Sequence, residues 1–193
     1  MACAPWRSML DLALERHGEQ PKARLVALAT VRSDGRPANR TLVFRGFRAG
    51  TDQLCFATHQ DSAKVEQLGR TGWAEVCWHF PQSQEQFRLL GMVRPIGAGD
   101  ADAELQALRL ALWRELPDTS RQQFTWPATG TPRVSDVFLT LPPPDSQTPL
   151  ASFCVLLLDA VEVDHLELAA PPPPHWHYRR GDDGNWSMAA TNP

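Results

Sequence analysis

Apolar and polar residues alternate along this chain at two periods, and the switches between them mark its elements. From residue 5 to residue 18, Trp6, Met9, Leu10, Ala13 and Leu14 recur at spacings of three and one. That spacing predicts an amphipathic helix, stopped by Gly18. Residues 24–31 are apolar at consecutive positions and read as a strand buried on both faces. Ser33-Asp34-Gly35-Arg36-Pro37 is a turn signal, and residues 38–47 form the next strand, so a hairpin is expected. A second turn leads into a strand over residues 53–58. A short helix follows at 61–68, with Asp61 as its N-cap and Gly69 near its end. Residues 73–80 and 84–96 are two further strands, the second interrupted by Gly91, where a bulge or sharp bend is expected.

Residues 99–116 return to helical spacing, with Leu105, Leu108, Leu112 and Leu116 on one face. Residues 117–149 are rich in proline and show little periodicity, which is long for a loop, so the segment is expected either to have a function or to contain short elements that the pattern does not show. A long strand is expected over 151–168, then a polyproline spacer at Pro171-Pro172-Pro173-Pro174. A closing hairpin, 175–180 with 185–190, surrounds Gly181-Asp182-Asp183-Gly184. Seven or eight strands joined mostly by hairpins imply antiparallel neighbours. The expected fold class is mainly β: one domain over 1–193, an antiparallel β-barrel of six to eight strands, closed or partly closed, with peripheral helices.

Composition narrows the function classes. The 193 residues are 42% hydrophobic and 21% charged, ordinary for a globular protein. The net charge of −3 argues against a dedicated nucleic-acid binder, so any anion site must be a local basic cluster. No apolar run approaches membrane-spanning length. Residues 1–7 lack a basic region followed by an apolar one, so a cytoplasmic protein without a secretory leader is expected. Cys3, Cys55, Cys77 and Cys154 are widely separated, as expected of reduced thiols.

The candidate chemistry lies in two runs. In Asn39-Arg40-Thr41-Leu42-Val43-Phe44-Arg45, alternation puts Arg40, Leu42 and Phe44 on one face and Thr41, Val43 and Arg45 on the other. In Thr58-His59-Gln60-Asp61-Ser62-Ala63-Lys64, a strand ends and a helix begins, with a hydroxyl and an ammonium in its first turn. A helix N-terminus also offers unpaired amides to an anion. The hairpin expected between strands 38–47 and 53–58 brings the two runs together, so Arg40, Thr58, Ser62 and Lys64 read as a phosphate site. His175 and His177, two apart on a strand, share a face but lack a third metal ligand, and no metal is expected.

These runs, together with Phe56-Ala57-Thr58 and the strand Gln86-Phe87-Arg88-Leu89-Leu90-Gly91, resemble the pyridoxamine 5′-phosphate oxidase family, whose members bind FMN in a split barrel. The resemblance runs from about Leu25 to Ile96 and resumes at Tyr178 to Trp186. Trp113, Arg121, Phe124-Thr125-Trp126-Pro127 and Gly130 look like its cyanobacterial-type branch. The resemblance implies FMN as cofactor, with Arg40 and Lys64 on its phosphate, helped by Ser62 and Thr58. It implies Thr41, Leu42 and Val43 along the isoalloxazine and Gln86 reaching the flavin from the partner subunit of a homodimer. Arg45 stands where the family has a lysine that touches substrate and flavin. By the same resemblance, His175 stands in for a nearby arginine of the family that contacts the flavin.

Two departures qualify what carries over. Ala63 replaces an arginine that adds a phosphate contact. The Arg-x-His pair that holds pyridoxal phosphate is replaced by the prolines at 171–174. The implied function is therefore an FMN-dependent oxidoreductase acting on a small molecule other than pyridoxamine phosphate. The alternatives are a non-enzymatic flavin or haem binder, with His59, His175 or His177 as axial ligand, and an interaction domain that has lost its ligand.

Overall fold

The computed structural model describes residues 3–18, 20–133, 141–169 and 171–192. Helix α1 spans Pro5–His17 and buries Trp6, Leu10 and Ala13, the stripe its spacing predicts. Eight strands then form one antiparallel sheet: β1 Leu25–Val31, β2 Pro37–Phe47, β3 Leu54–His59, β4 Trp73–Phe80, β5 Glu85–Ile96, β6 Phe153–Glu167, β7 His175–Arg180 and β8 Trp186–Thr191. Their order is β3-β2-β1-β4-β5-β6-β7-β8, and β6 also pairs with β3. The first six strands therefore close into a barrel, with β7 and β8 as an extension. The long β6 makes both possible, because residues 153–158 pair with β3 while residues 162–166 pair with β7.

Two cores fill the space. Inside the barrel lie Leu28, Leu42, Phe44, Phe56, Trp78, Phe87, Leu89 and Leu156, among others. Outside it, helix α3 (Ala103–Glu115) covers Cys55, Phe153, Val155 and Leu157 with Leu105, Leu112 and Trp113. Asp102 caps α3, its carboxylate accepting the amides of Glu104 and Leu105. The expected bulge is present at Gly91, where the β5–β6 register shifts between Leu90 and Gly91.

Two expectations need correction. The short helix after β3, α2, spans Ala63–Thr71 rather than 61–68, and Ser62, not Asp61, is its N-cap. The Ser62 hydroxyl is taken by Lys64 instead of a helix amide. The strand expected to be buried on both faces, β1, is buried on one only: Val26, Leu28 and Thr30 point inward, while Leu25 and Val31 are exposed. Residues 117–149 do contain short elements, one of the two readings the sequence allowed. They hold helix α4 (Asp118–Gln122) and a 3₁₀ turn at Gln123–Thr125, although residues 134–140 lie outside the described residues. Trp126 is exposed and adds nothing to either core.

Candidate functional site

The site lies where the barrel wall opens between β2 and β3. Strand β2 pairs with β1 along residues 37–43. It pairs with β3 only at Phe44↔Phe56 and Phe47↔Leu54. Among the described residues, the β3-facing edge of residues 37–43 thus has no strand partner, and its amides and carbonyls are left for another partner. Helix α2 packs beside this opening against β1 and β5, with Leu68 buried.

Arg40 projects to the interior side of β2, paired across the ladder with Leu28. Its Nη1 donates to the Leu28 carbonyl at 3.2 Å, to Thr30 Oγ1 at 2.5 Å and to the Ala38 carbonyl at 3.4 Å. Its Nη2 donates to Gln67 Oε1 at 2.9 Å. Lys64 Nζ donates to Thr58 Oγ1 at 2.8 Å and Ser62 Oγ at 2.5 Å, and both hydroxyls are buried. Every one of these partners is neutral. Burial and the nearby Arg40 push the Lys64 ammonium down to about 8. Burial and Arg32 likewise hold Arg40 below its ordinary value. Among the described residues, no carboxylate forms an ion pair with either side chain. Two neighbouring cations without a counter-ion in a half-buried corner make an anion site, because only a bound anion relieves both desolvation and mutual repulsion.

This arrangement has a pH consequence. The flavin-free value of Lys64 is the depressed one, and a bound phosphate favours the ammonium and raises it, so binding takes up a proton above pH 8. FMN affinity should fall as pH rises past about 8. It should also fall below about 6, where the phosphate dianion takes up a proton and becomes a monoanion. Fluorescence titrations with FMN and riboflavin from pH 5 to about 10 would test this. Equal pH dependence for the two flavins would refute the assignment.

The remaining candidates divide by face. Leu42 is buried in the barrel core, so it has only its backbone to offer a ligand. Thr41, Val43 and Arg45 face outward. Arg45 is half-buried, its Nε has no hydrogen-bond partner, and burial with the neighbouring Arg24 holds its guanidinium below the usual value. Gln86 does not join Arg40 within this chain. The ladder through Arg40 runs to Leu28, Val76 and Leu89, whereas Gln86 lies three residues away on the outer face of β5. Gln86 instead shares a row with Leu166 and His175. His175 Nε2 and His177 Nδ1 both meet Asp164 Oδ1, at 3.2 and 3.0 Å, and Arg88 meets Oδ2 at 2.7 Å. The imidazoles considered for haem are thus engaged, His59 also lying near Asp61. Glu85, His165 and Glu167 cluster at the start of β5 and end of β6, but Glu85 already holds Arg16 and His165.

Comparison with known proteins places the chain in a family. The model of the pyridoxamine 5′-phosphate oxidase FMN-binding domain matches residues 3–97, which include both basic runs. A pyridoxine/pyridoxamine 5′-phosphate oxidase 2 of Arabidopsis thaliana is 35% identical over 168 residues, covering 86% of this chain and 84% of that protein. The chain belongs to the pyridoxamine 5′-phosphate oxidase family. Its cofactor is accordingly FMN. A pyridoxamine 5′-phosphate oxidase-related, FMN-binding protein from Nostoc punctiforme superposes with a TM-score of 0.97 at 48% identity, with all of both chains covered. PhzG of Burkholderia lata, at 19% identity and a TM-score of 0.78, shares the fold. Among the described residues the corner supplies two cations and two buried hydroxyls with no carboxylate paired to either cation, which is chemistry suited to a phosphate.

Two residues that contact Arg40 escaped the sequence reading. Thr30 and Gln67 hold Arg40, and Thr30 Oγ1 donates to Gln67 Oε1 at 2.6 Å. Gln67 left a trace, since it follows Lys64 by three residues and so shares its helix face. Thr30 left none.

Proposed function

We propose that this chain is an FMN-dependent oxidoreductase, active as a homodimer on a small molecule other than pyridoxamine phosphate. The observation that carries the reading is the Arg40–Lys64 pair, whose partners are all neutral, beside the unpaired edge of β2. Arg40, Lys64, Ser62 and Thr58 would hold the phosphate. The β2 backbone at Thr41, Leu42 and Val43 would meet the ring, and Arg45 would set positive charge near it. FMN supplies the redox chemistry, and the protein supplies binding, orientation and electrostatics.

The second subunit is argued from what one chain leaves undone. Gln86 and His175 face away from the phosphate corner. The outer face carries Leu25, Val31, Trp73 and Met92, each more than 40% exposed. An apolar face of this kind is expected to be covered by another protein surface, and a second copy would also bring Gln86 and His175 to the flavin. The substrate is argued from residues 171–174, where four prolines stand in place of the pair that holds pyridoxal phosphate.

The test is the visible spectrum of protein purified without added cofactor. Flavin bands, with FMN released on denaturation, are expected. A colourless protein that also fails to take up added FMN would sink the reading. Oxidation of pyridoxamine phosphate at rates typical of an enzyme would overturn the substrate exclusion alone.

A further inference from the structure

We propose that Thr30 and Gln67 form a neutral clamp that orients Arg40 and reserves one specific pair of its donors for a phosphate. The inference rests on the FMN reading above and adds two positioning residues to it. A guanidinium has five N–H donors arranged as forks. The end-on fork, formed by Nη1 and Nη2, is occupied: Nη1 by Thr30 Oγ1 and two carbonyls, Nη2 by Gln67 Oε1. Thr30 and Gln67 are themselves joined at 2.6 Å, which closes a ring of three side chains. Among the described residues, the Nε–H and the second Nη2 hydrogen have no acceptor. Together they make the side-on fork, which matches two oxygens of one phosphate.

The chemistry of the clamp matters as much as its geometry. Arginine only donates, so both clamp atoms must act as acceptors toward it. A carboxylate would accept equally well, but it would neutralise the guanidinium and compete with the ligand. A hydroxyl and an amide oxygen orient Arg40 and leave its charge available. Gln67 also follows Lys64 by three residues on α2, so the helix that places the ammonium places the clamp. Thr30 is buried on β1 and anchors the ring to the barrel. The clamp therefore acts on phosphate recognition and leaves ring recognition alone.

The experiment compares FMN with riboflavin, which has the same ring and no phosphate, by fluorescence titration of wild type, Gln67→Glu and Gln67→Leu. Gln67→Glu keeps the shape and adds a charge against Arg40. It is expected to weaken FMN by roughly thirtyfold or more while riboflavin changes less than about twofold. Gln67→Leu frees the guanidinium without neutralising it and should weaken FMN by about tenfold. Thermal midpoints check that each variant is folded. Should Gln67→Leu unfold, Thr30→Ser, which keeps the hydroxyl, against Thr30→Val, which removes it, gives the same comparison. FMN affinity unchanged in folded Gln67→Glu would overturn the clamp and leave the FMN reading standing. So would equal losses for FMN and riboflavin, which indicate general damage. Wild-type protein that binds neither flavin would overturn the FMN reading, and the clamp with it.

Discussion

Lys64→Glu is expected to weaken FMN binding severely and at the same time to raise the melting temperature of the flavin-free protein. The two effects share one cause. Lys64 is a desolvated ammonium beside Arg40 with only hydroxyls for partners. A carboxylate there turns repulsion with Arg40 into attraction, and Thr58 and Ser62 can donate to it. A swing of about 1 kcal/mol moves the midpoint by about 2–4 °C in a chain of this size. Binding moves the other way, because the phosphate loses a charged donor, worth about 1.5–3 kcal/mol, and meets a like charge. The combined loss should reach about a thousandfold, and reversing Arg40 as well should leave no measurable retention. Differential scanning fluorimetry of flavin-free protein and equilibrium dialysis with FMN read both. Retained FMN would remove Lys64 from the phosphate site. A lowered midpoint would make it a structural lysine. Either result contradicts the design inferred for this corner, in which stability is sacrificed to keep two cations ready for an anion.

Gly91→Ala is expected to be the most damaging single-methyl change in the barrel. A Cβ at Gly91 would lie 2.2 Å from the Asp159 carbonyl oxygen and 2.8 Å from the Ala160 Cα. Both are backbone atoms of β6, held by its ladders to β5 and β3, so neither can turn aside as a side chain would. The β5–β6 register shifts at this point, and the shift depends on close approach of the two backbones. Forcing them apart should cost about 3 kcal/mol, or a midpoint lower by roughly 6–12 °C. Gly99→Ala is the control, since a Cβ there meets nothing within 4 Å. Urea unfolding should show a lower midpoint with an unchanged slope for Gly91→Ala and no change for Gly99→Ala. A loss below about 1 kcal/mol would mean that the bulge tolerates the methyl and that β6 yields.

Much of this was legible from local pattern. Alternation located β2, β4 and β5 to within a residue, because one face of each lies in the barrel interior and a period of two records it. Gly91 stood out because a glycine inside a strand implies close backbone approach. Leu105, Leu108 and Leu112 of α3, with Leu116 at its C-cap, proved to share one hydrophobic cluster with residues of β3 and β6. Arg40, Thr58, Ser62 and Lys64 were legible as a group because a hairpin and a helix start are both local in sequence. The sequence misled where local chemistry had competitors. Asp61 is as good a cap as Ser62 by residue type, and the consecutive apolar residues of β1 describe a buried strand as well as one whose outer face awaits a partner.

By itself, then, the sequence determined the strands, their hairpins, the bulge and the basic character of one corner, all properties set within a few residues of chain. The tertiary structure decided how β3 meets β6 across about a hundred residues of chain, and so where the barrel closes and where β2 is left unpaired. It also decided that Thr30 and Gln67 reach Arg40 and that, among the described residues, no carboxylate pairs with it. Those outcomes depend on register and on the docking of α2, which are energies of long-range packing. No residue's own propensity carries them.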